Sequence, residues 1–196
     1  MSALRPIARF PGERPLMTPT TPVRPIPVTT SSQPNERRRS ATTPAVHEAA
    51  ARLLSTGIEP GMVARELWDR APFGYLGLLS AVLGRAVLEP DAAGGSGLVW
   101  TSVTRADRAA HGLSLDAVES VIDVLRRTDE AEVAIVLKES DDGLWQASAR
   151  SKGKVDVGRA CSRLGGGGHR NAAGVTLAGP AEDAIARLRG LLAESS

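Results

Sequence analysis

Residues 165–174 read Gly-Gly-Gly-Gly-His-Arg-Asn-Ala-Ala-Gly, and this string constrains the chain more than any other stretch of it. A glycine inside a helix or strand costs about 0.5–1 kcal/mol relative to alanine, so four in succession read as a loop, not as core, helix or strand. Such a loop lets backbone N–H groups come close to a ligand. The usual ligand is a phosphate, held by a nest of amides or by a helix N-terminus. His169 then stands at the lip of the loop, with Ala172 and Ala173 offering no bulk behind it.

The charge around the loop points the same way. Arg150, Lys152, Lys154, Arg159, Arg163 and Arg170 face one acid, Asp156. Arg150 and Lys152 fall where a strand ends, next to Gly153, and are expected to project toward a common edge. Arginine suits bidentate phosphate contact and lysine supplies a point charge. The overall charge of +2 says less. Residues 1–45 hold seven arginines against Glu13 and Glu36, which leaves 17 of the 24 basic and 20 of the 22 acidic residues elsewhere. Bulk basicity therefore belongs to the N-terminal segment.

Other chemistries find little support. The three histidines (47, 111 and 169) are scattered, and the chain has no His-His pair, Asp-x-Asp or cysteine cluster. Neither a metal site nor a catalytic residue is expected in it. The single cysteine, Cys161, excludes an internal disulfide, suits a reducing cytoplasm, and sits in a helical setting where packing is its expected role. No apolar run approaches the ~18 residues of a membrane span, and the N-terminus lacks the apolar core of a secretory signal. A cytoplasmic protein with no membrane partner is expected.

Nine of the 13 prolines fall in residues 1–44. Such a segment cannot bury enough surface to offset its ordering entropy, so 1–43 reads as a disordered Pro/Arg-rich tail with polyproline-like conformation around Thr18–Pro27. Residues 44–90 read as a helical unit, with helices opening at Thr43-Pro44 and Pro60 and a third carrying Leu76, Leu79, Val82 and Leu83. Trp68, Phe73 and Tyr75 are expected to pack between these helices. From Gly97 the pattern changes. Gly97–Thr104, Glu132–Lys138 and Leu144–Arg150 have strand composition, the last two joined by a hairpin-like connection ending in Asp-Gly. A capped amphipathic helix is expected from Ser114 to Leu125, a short helix over Val155–Leu164, a last strand over Gly174–Leu177 and a final helix over Ala181–Leu192. Strands interleaved with helices predict an α/β domain over 97–196, with a small mixed sheet and flanking helices.

The string Gly165–Gly174 resembles the signature GGGGHxxAAG of the domain associated with the DHH phosphoesterases. The likeness extends through Ala147–Lys152, Val155–Val157, Ser120–Thr128 and Glu132–Glu139. The segment Pro44–Pro90 is similar to the linker of one branch, the bacterial nano-RNases that double as pAp phosphatases. In that family an N-terminal lobe holds two manganese ions through Asp and His motifs, and a C-terminal lobe captures the substrate's phosphate. The resemblance implies that Arg150, Lys152, Gly166, Gly167, Gly168 and His169 contact substrate. It places manganese, and catalysis, in a lobe whose motifs this sequence lacks.

Three functional readings follow. The first is a phosphate- or oligonucleotide-binding module, truncated or separated from its enzyme, with no hydrolytic activity of its own. In the second, a separately encoded metal lobe docks on 44–88 and completes a hydrolase in trans. The third is a structural fragment, and a homodimer is left open. RNA, DNA, pAp and cyclic dinucleotides all end in the phosphate such a loop would read.

Overall fold

The computed structural model describes residues 43–195. Of the tail expected to be disordered over 1–43, residues 1–42 lie outside the described residues, while Thr43 caps the first helix. Helix α1 (Pro44–Ser55) opens as its sequence dictates, with Pro44 at the first position and the Thr43 hydroxyl accepting from the Val46 amide at 3.3 Å. Helix α2 (Pro60–Trp68) follows, and neither helix buries a residue.

Helix α3 (Gly74–Gly84) starts the core: Tyr75, Leu78 and Val82 are buried. After it come strand β1 (Val87–Glu89), a tight turn α4 (Ala92–Gly95), strand β2 (Leu98–Val103) and helix α5 (Arg105–Ala110). Neither β1 nor α5 was announced by the residue pattern, because both are too short to show a period. The helix expected from Ser114 to Leu125 is broken into a 3-10 turn (Asp116–Val118) and helix α6 (Val121–Leu125). Both pieces still bury the expected stripe, with Val118, Val121, Ile122 and Leu125 in the core.

Strands β3 (Val133–Glu139) and β4 (Trp145–Ser151) form the expected hairpin, and helix α7 (Val157–Ser162) leads into the glycine segment. There the structure corrects the sequence reading: Gly167–His169 is a strand, β5, paired antiparallel with β6 (Ala172–Leu177). The turn between them is only Arg170-Asn171, so the glycines are half of a tight hairpin and not an open loop. Helix α8 (Ala181–Ala193) closes the chain.

The six strands make one mixed sheet in the order β1-β2-β3-β4-β6-β5, with β2 and β3 parallel and all other pairs antiparallel. One face is covered along most of its width by α7 and α8, whose Val157, Cys161, Ile185 and Leu188 meet Ile135, Ala147, Ala149 and Val175. The opposite face is covered only over β2 and β3, by Leu78, Val82, Val121 and Ile122 of α3 and α6 against Val99, Ala134 and Val136. The strands on the far side of β3 keep that second face uncovered.

A polar lock fastens the β2–α5 corner. The Thr104 hydroxyl accepts from the Asp107 amide at 3.1 Å and the Asp107 carboxylate accepts from the Thr104 amide at 2.7 Å, a reciprocal cap that also takes the Arg85 guanidinium. Burial works to raise the Asp107 pKa, but Arg85 and Thr104 outweigh it and hold the group at about 2 against an ordinary 3.8. The depressed value means that the contribution is fully present above pH 3.8 and is lost as pH falls through about 2. Asp107→Ala is expected to cost about 2 kcal/mol in urea unfolding at neutral pH. The difference from wild type should shrink when the same pair is unfolded near pH 2.

Candidate functional site

The uncovered face is a grid fixed by strand register. In one row Arg150 of β4 stands opposite Ala172 of β6, which stands opposite His169 of β5. The next row is Ser148, Gly174, Gly167, and a third sets Lys138 of β3, Gln146 and Thr176 side by side. Side chains alternate across a strand, so all of these lie on one face, which α3 and α6 leave open from β4 outward, with Lys138 buried at the covered edge. Arg150 and His169 are two strands apart, about 10 Å between backbones. Only the methyl of Ala172 lies between them, with Gly174 and Gly167 beside it. A floor of such small residues between a guanidinium and an imidazole leaves room for a tetrahedral oxyanion. Continuous with it is a groove of about 370 Å³ lined by Lys138, Gln146, Ser148, Gly166, Gly174 and Thr176.

Each glycine of the run has its own physical reason. Gly165 has φ +86° and ends α7. Its amide donates to Ser162 O at 3.1 Å while the Gly166 amide donates to Cys161 O at 3.0 Å, the paired bonds of a Schellman cap. These two N–H groups are therefore used inside the protein and are not part of the amide nest the glycine run led one to expect. Gly166 lies so close to β6 that a Cβ would stand 2.3 Å from Gly174 O and 2.5 Å from Val175 Cβ. Gly168 has φ +143° and an equally tight approach, 2.5 Å to Ala172 O. Gly167 differs, since a Cβ there would meet nothing within 4 Å and would enter the open face.

The hairpin carrying His169 is pinned from behind. The Val157 amide donates to Arg170 O at 3.0 Å, and the Ser151 amide to Asn171 O at 3.0 Å. At Gly158 a Cβ would lie 2.8 Å from His169 O, so α7 abuts the strand directly. His169 itself is exposed. The Arg150 guanidinium donates to Ala149 O at 3.0 Å and has no acidic partner among the described residues.

The remaining basic residues are not gathered at this spot. Arg163 pairs with Glu194, and Arg170 with Asp156 at 3.4 Å. Lys152, just past the end of β4, reaches toward the end of α6, where its ammonium donates to Thr128 O at 2.6 Å and Asp129 O at 3.3 Å. Arg150 and Lys152 thus leave β4 in different directions, the first on the open face and the second toward the end of α6. Sequence reasoning missed Lys138, Gln146 and Ser148. The strand alternation on β4 could have found the last two, since it puts both in line with Arg150. Lys138 is almost fully buried and ion-paired with Glu119, a contact between β3 and the 3-10 turn that no local pattern announces.

Cys161 is buried, and burial pushes its thiol up to about 11, as packing and not reactivity requires. Among the described residues no three His, Cys, Asp or Glu side chains converge, so no donor set there fits a metal ion. No helix among them is long and apolar enough to cross a membrane.

Fold and exposed face together define an α/β domain whose mixed sheet is covered on one side and half open on the other. The chain belongs to the DHHA1 domain family, whose model matches residues 90–194. A relative is the Bifunctional oligoribonuclease and PAP phosphatase NrnA of Thermus thermophilus, 32% identical over 142 residues, covering 72% of this chain and 40% of that protein. The chain thus spans less than half the length of this curated relative. The fold is also that of an exopolyphosphatase-related protein from Bacteroides fragilis, with a TM-score of 0.68 at 21% identity over 79% of this chain and 44% of the other. The domain is accordingly related to the DHH-family phosphoesterases.

Proposed function

We propose that the open half-face captures the phosphate of a nucleotide or short oligonucleotide, as the substrate-holding half of a DHH-type phosphoesterase, with no hydrolysis of its own. The observation that carries this reading is the row Arg150–Ala172–His169, which sets a guanidinium without an acidic partner and an exposed imidazole in register on either side of a residue with no bulk. Gly167 keeps that floor open. Gly166 and Gly168 let the strand lie against β6, and Lys152 stands at the margin nearest α6. The relative's name, oligoribonuclease and PAP phosphatase, supports the choice of ligand. A metal-binding lobe supplied by a separate chain would complete the hydrolase. That completion is favoured by α1, which buries none of its residues and leaves Leu53 and Leu54 more than half exposed.

Titrating pAp and a 5′-phosphorylated two-nucleotide RNA against the full chain tests the reading. Arg150→Ala and His169→Ala should each weaken binding roughly 10- to 100-fold, the range of a charge-assisted hydrogen bond. Affinity equal to wild type in both variants rejects the site. Product formed by the full chain alone in the presence of manganese rejects capture without chemistry.

A further inference from the structure

A second groove, apart from the open half-face, combines an aromatic platform with two arginines. It lies where Trp68 at the end of α2 and Tyr75 of α3 face the end of α6, and Asp123, Arg126 and Arg127 form its other wall. Its volume is about 550 Å³, enough for a nucleoside. Trp68 was expected to pack between helices, as was Phe73, yet they are 76% and 89% exposed. Tyr75 alone packs, with its hydroxyl 2.7 Å from Ser120 Oγ. The α2 helix is too short and too far out for its last turn to reach the sheet, so the indole borders solvent and groove instead.

The charge of this groove favours a polyanion. The Arg127 guanidinium has no acidic partner among the described residues, and Arg126 has only a long, exposed pair with Asp123 at 3.8 Å. Glu66, on the neighbouring wall beside Trp68, is already held by Arg70. A contact just past α6 ties this region to the end of β4. Lys152, two residues after Arg150, places its ammonium on the carbonyl of Thr128, the residue that follows Arg127. Lys152 thus stands beside the chain segment that carries Arg127.

We propose that this groove is a second nucleotide subsite, which takes a downstream base of a single-stranded oligonucleotide whose terminal phosphate lies between Arg150 and His169. Trp68 stacks on the base, while Arg127 and Lys152 meet the intervening phosphates. Stacking on an indole tolerates any base, so the subsite reads length and single-strandedness and not sequence. The inference rests on the phosphate-capture reading above and adds to it a reason for preferring oligonucleotides over mononucleotides.

The test compares a 5′-phosphorylated dinucleotide RNA with a heptanucleotide on the full chain. Wild type should bind the longer ligand more tightly. Trp68→Ala should remove roughly tenfold of that gain, and Trp68→Phe, which keeps an aromatic face, should restore most of it. Arg127→Ala should lower the slope of log affinity against log salt for the heptanucleotide by about 0.7, the loss of one phosphate contact to a single strand. Thermal unfolding monitored by circular dichroism checks that the variants stay folded. A length-dependent gain that is the same in Trp68→Ala as in wild type overturns the proposal. So does a concentration-dependent dimer that Trp68→Ala abolishes while heptanucleotide affinity stands, since the groove is then an interface between copies. Failure of the first site has its own mark: Arg150→Ala then leaves dinucleotide binding unchanged, whatever Trp68 does.

Discussion

Gly166→Ala is expected to cost about 3 kcal/mol or more of stability, while Gly167→Ala, one residue on, should fold as wild type does and bind phosphate poorly. The added methyl is the same in both. At position 166 it would lie 2.3 Å from Gly174 O and 2.8 Å from Val175 Cα, backbone atoms held in the β4–β6 ladder that cannot swing aside. Overpacking of this kind forces a backbone shift, and the tight β5–β6 hairpin has little slack to absorb it. At position 167 nothing lies within 4 Å, so the methyl enters the open face beside Gly174 and Ser148. Urea unfolding of both variants and a pAp titration of Gly167→Ala check the pair. Wild-type affinity in Gly167→Ala shows that the floor of the face is not where phosphate sits. Wild-type stability in Gly166→Ala shows that β5 is not pressed against β6.

Leu188→Ala should be the other large loss, about 3–4 kcal/mol, with Tm lowered by roughly 10 °C. Leu188 of α8 has no exposed surface and sits in the cluster with Ile135, Ala149 and Val175, on the covered face directly behind the open one. Removing its side chain opens a cavity under the strands that carry Arg150 and His169. Leu53→Ala on α1 is the control and should change stability by less than about 0.5 kcal/mol, because Leu53 is 56% exposed. Differential scanning calorimetry on the two variants separates them. Similar losses would mean that α1 is covered by something in solution.

Leu53 and Leu188 also show how far a sequence can be read. Both lie on helices whose apolar residues recur at helical spacing, and the sequence marks both helices clearly. Nothing in that spacing says which stripe finds a sheet to cover it. Trp68 and Phe73 were misjudged for the same reason: a large apolar side chain in or beside a helix implies a partner surface but does not supply one. The glycine segment misled differently. Local cost argues against strand for four glycines, yet pairing with β6 and the Schellman cap of α7 more than offset it. Both are long-range or context-dependent gains that no propensity includes.

By itself the sequence determined the α/β class, the strands β2, β3, β4 and β6 with their hairpin, the closing helix, and the kinship carried by the Gly165–Gly174 string. These rest on residue composition, helical or alternating spacing and turn chemistry, all of which are local. Only the tertiary structure decided that α3 and α6 cover β2 and β3 but stop short of β4, β6 and β5. That decision puts Arg150 and His169 in one row, turns Lys152 toward α6, brings Lys138 to the groove beside that row, and leaves Trp68 at a second groove against α6. Register and coverage come from packing between segments up to a hundred residues apart, as when Arg189 of α8 grips Glu89 of β1, and such packing leaves no periodic trace in either segment.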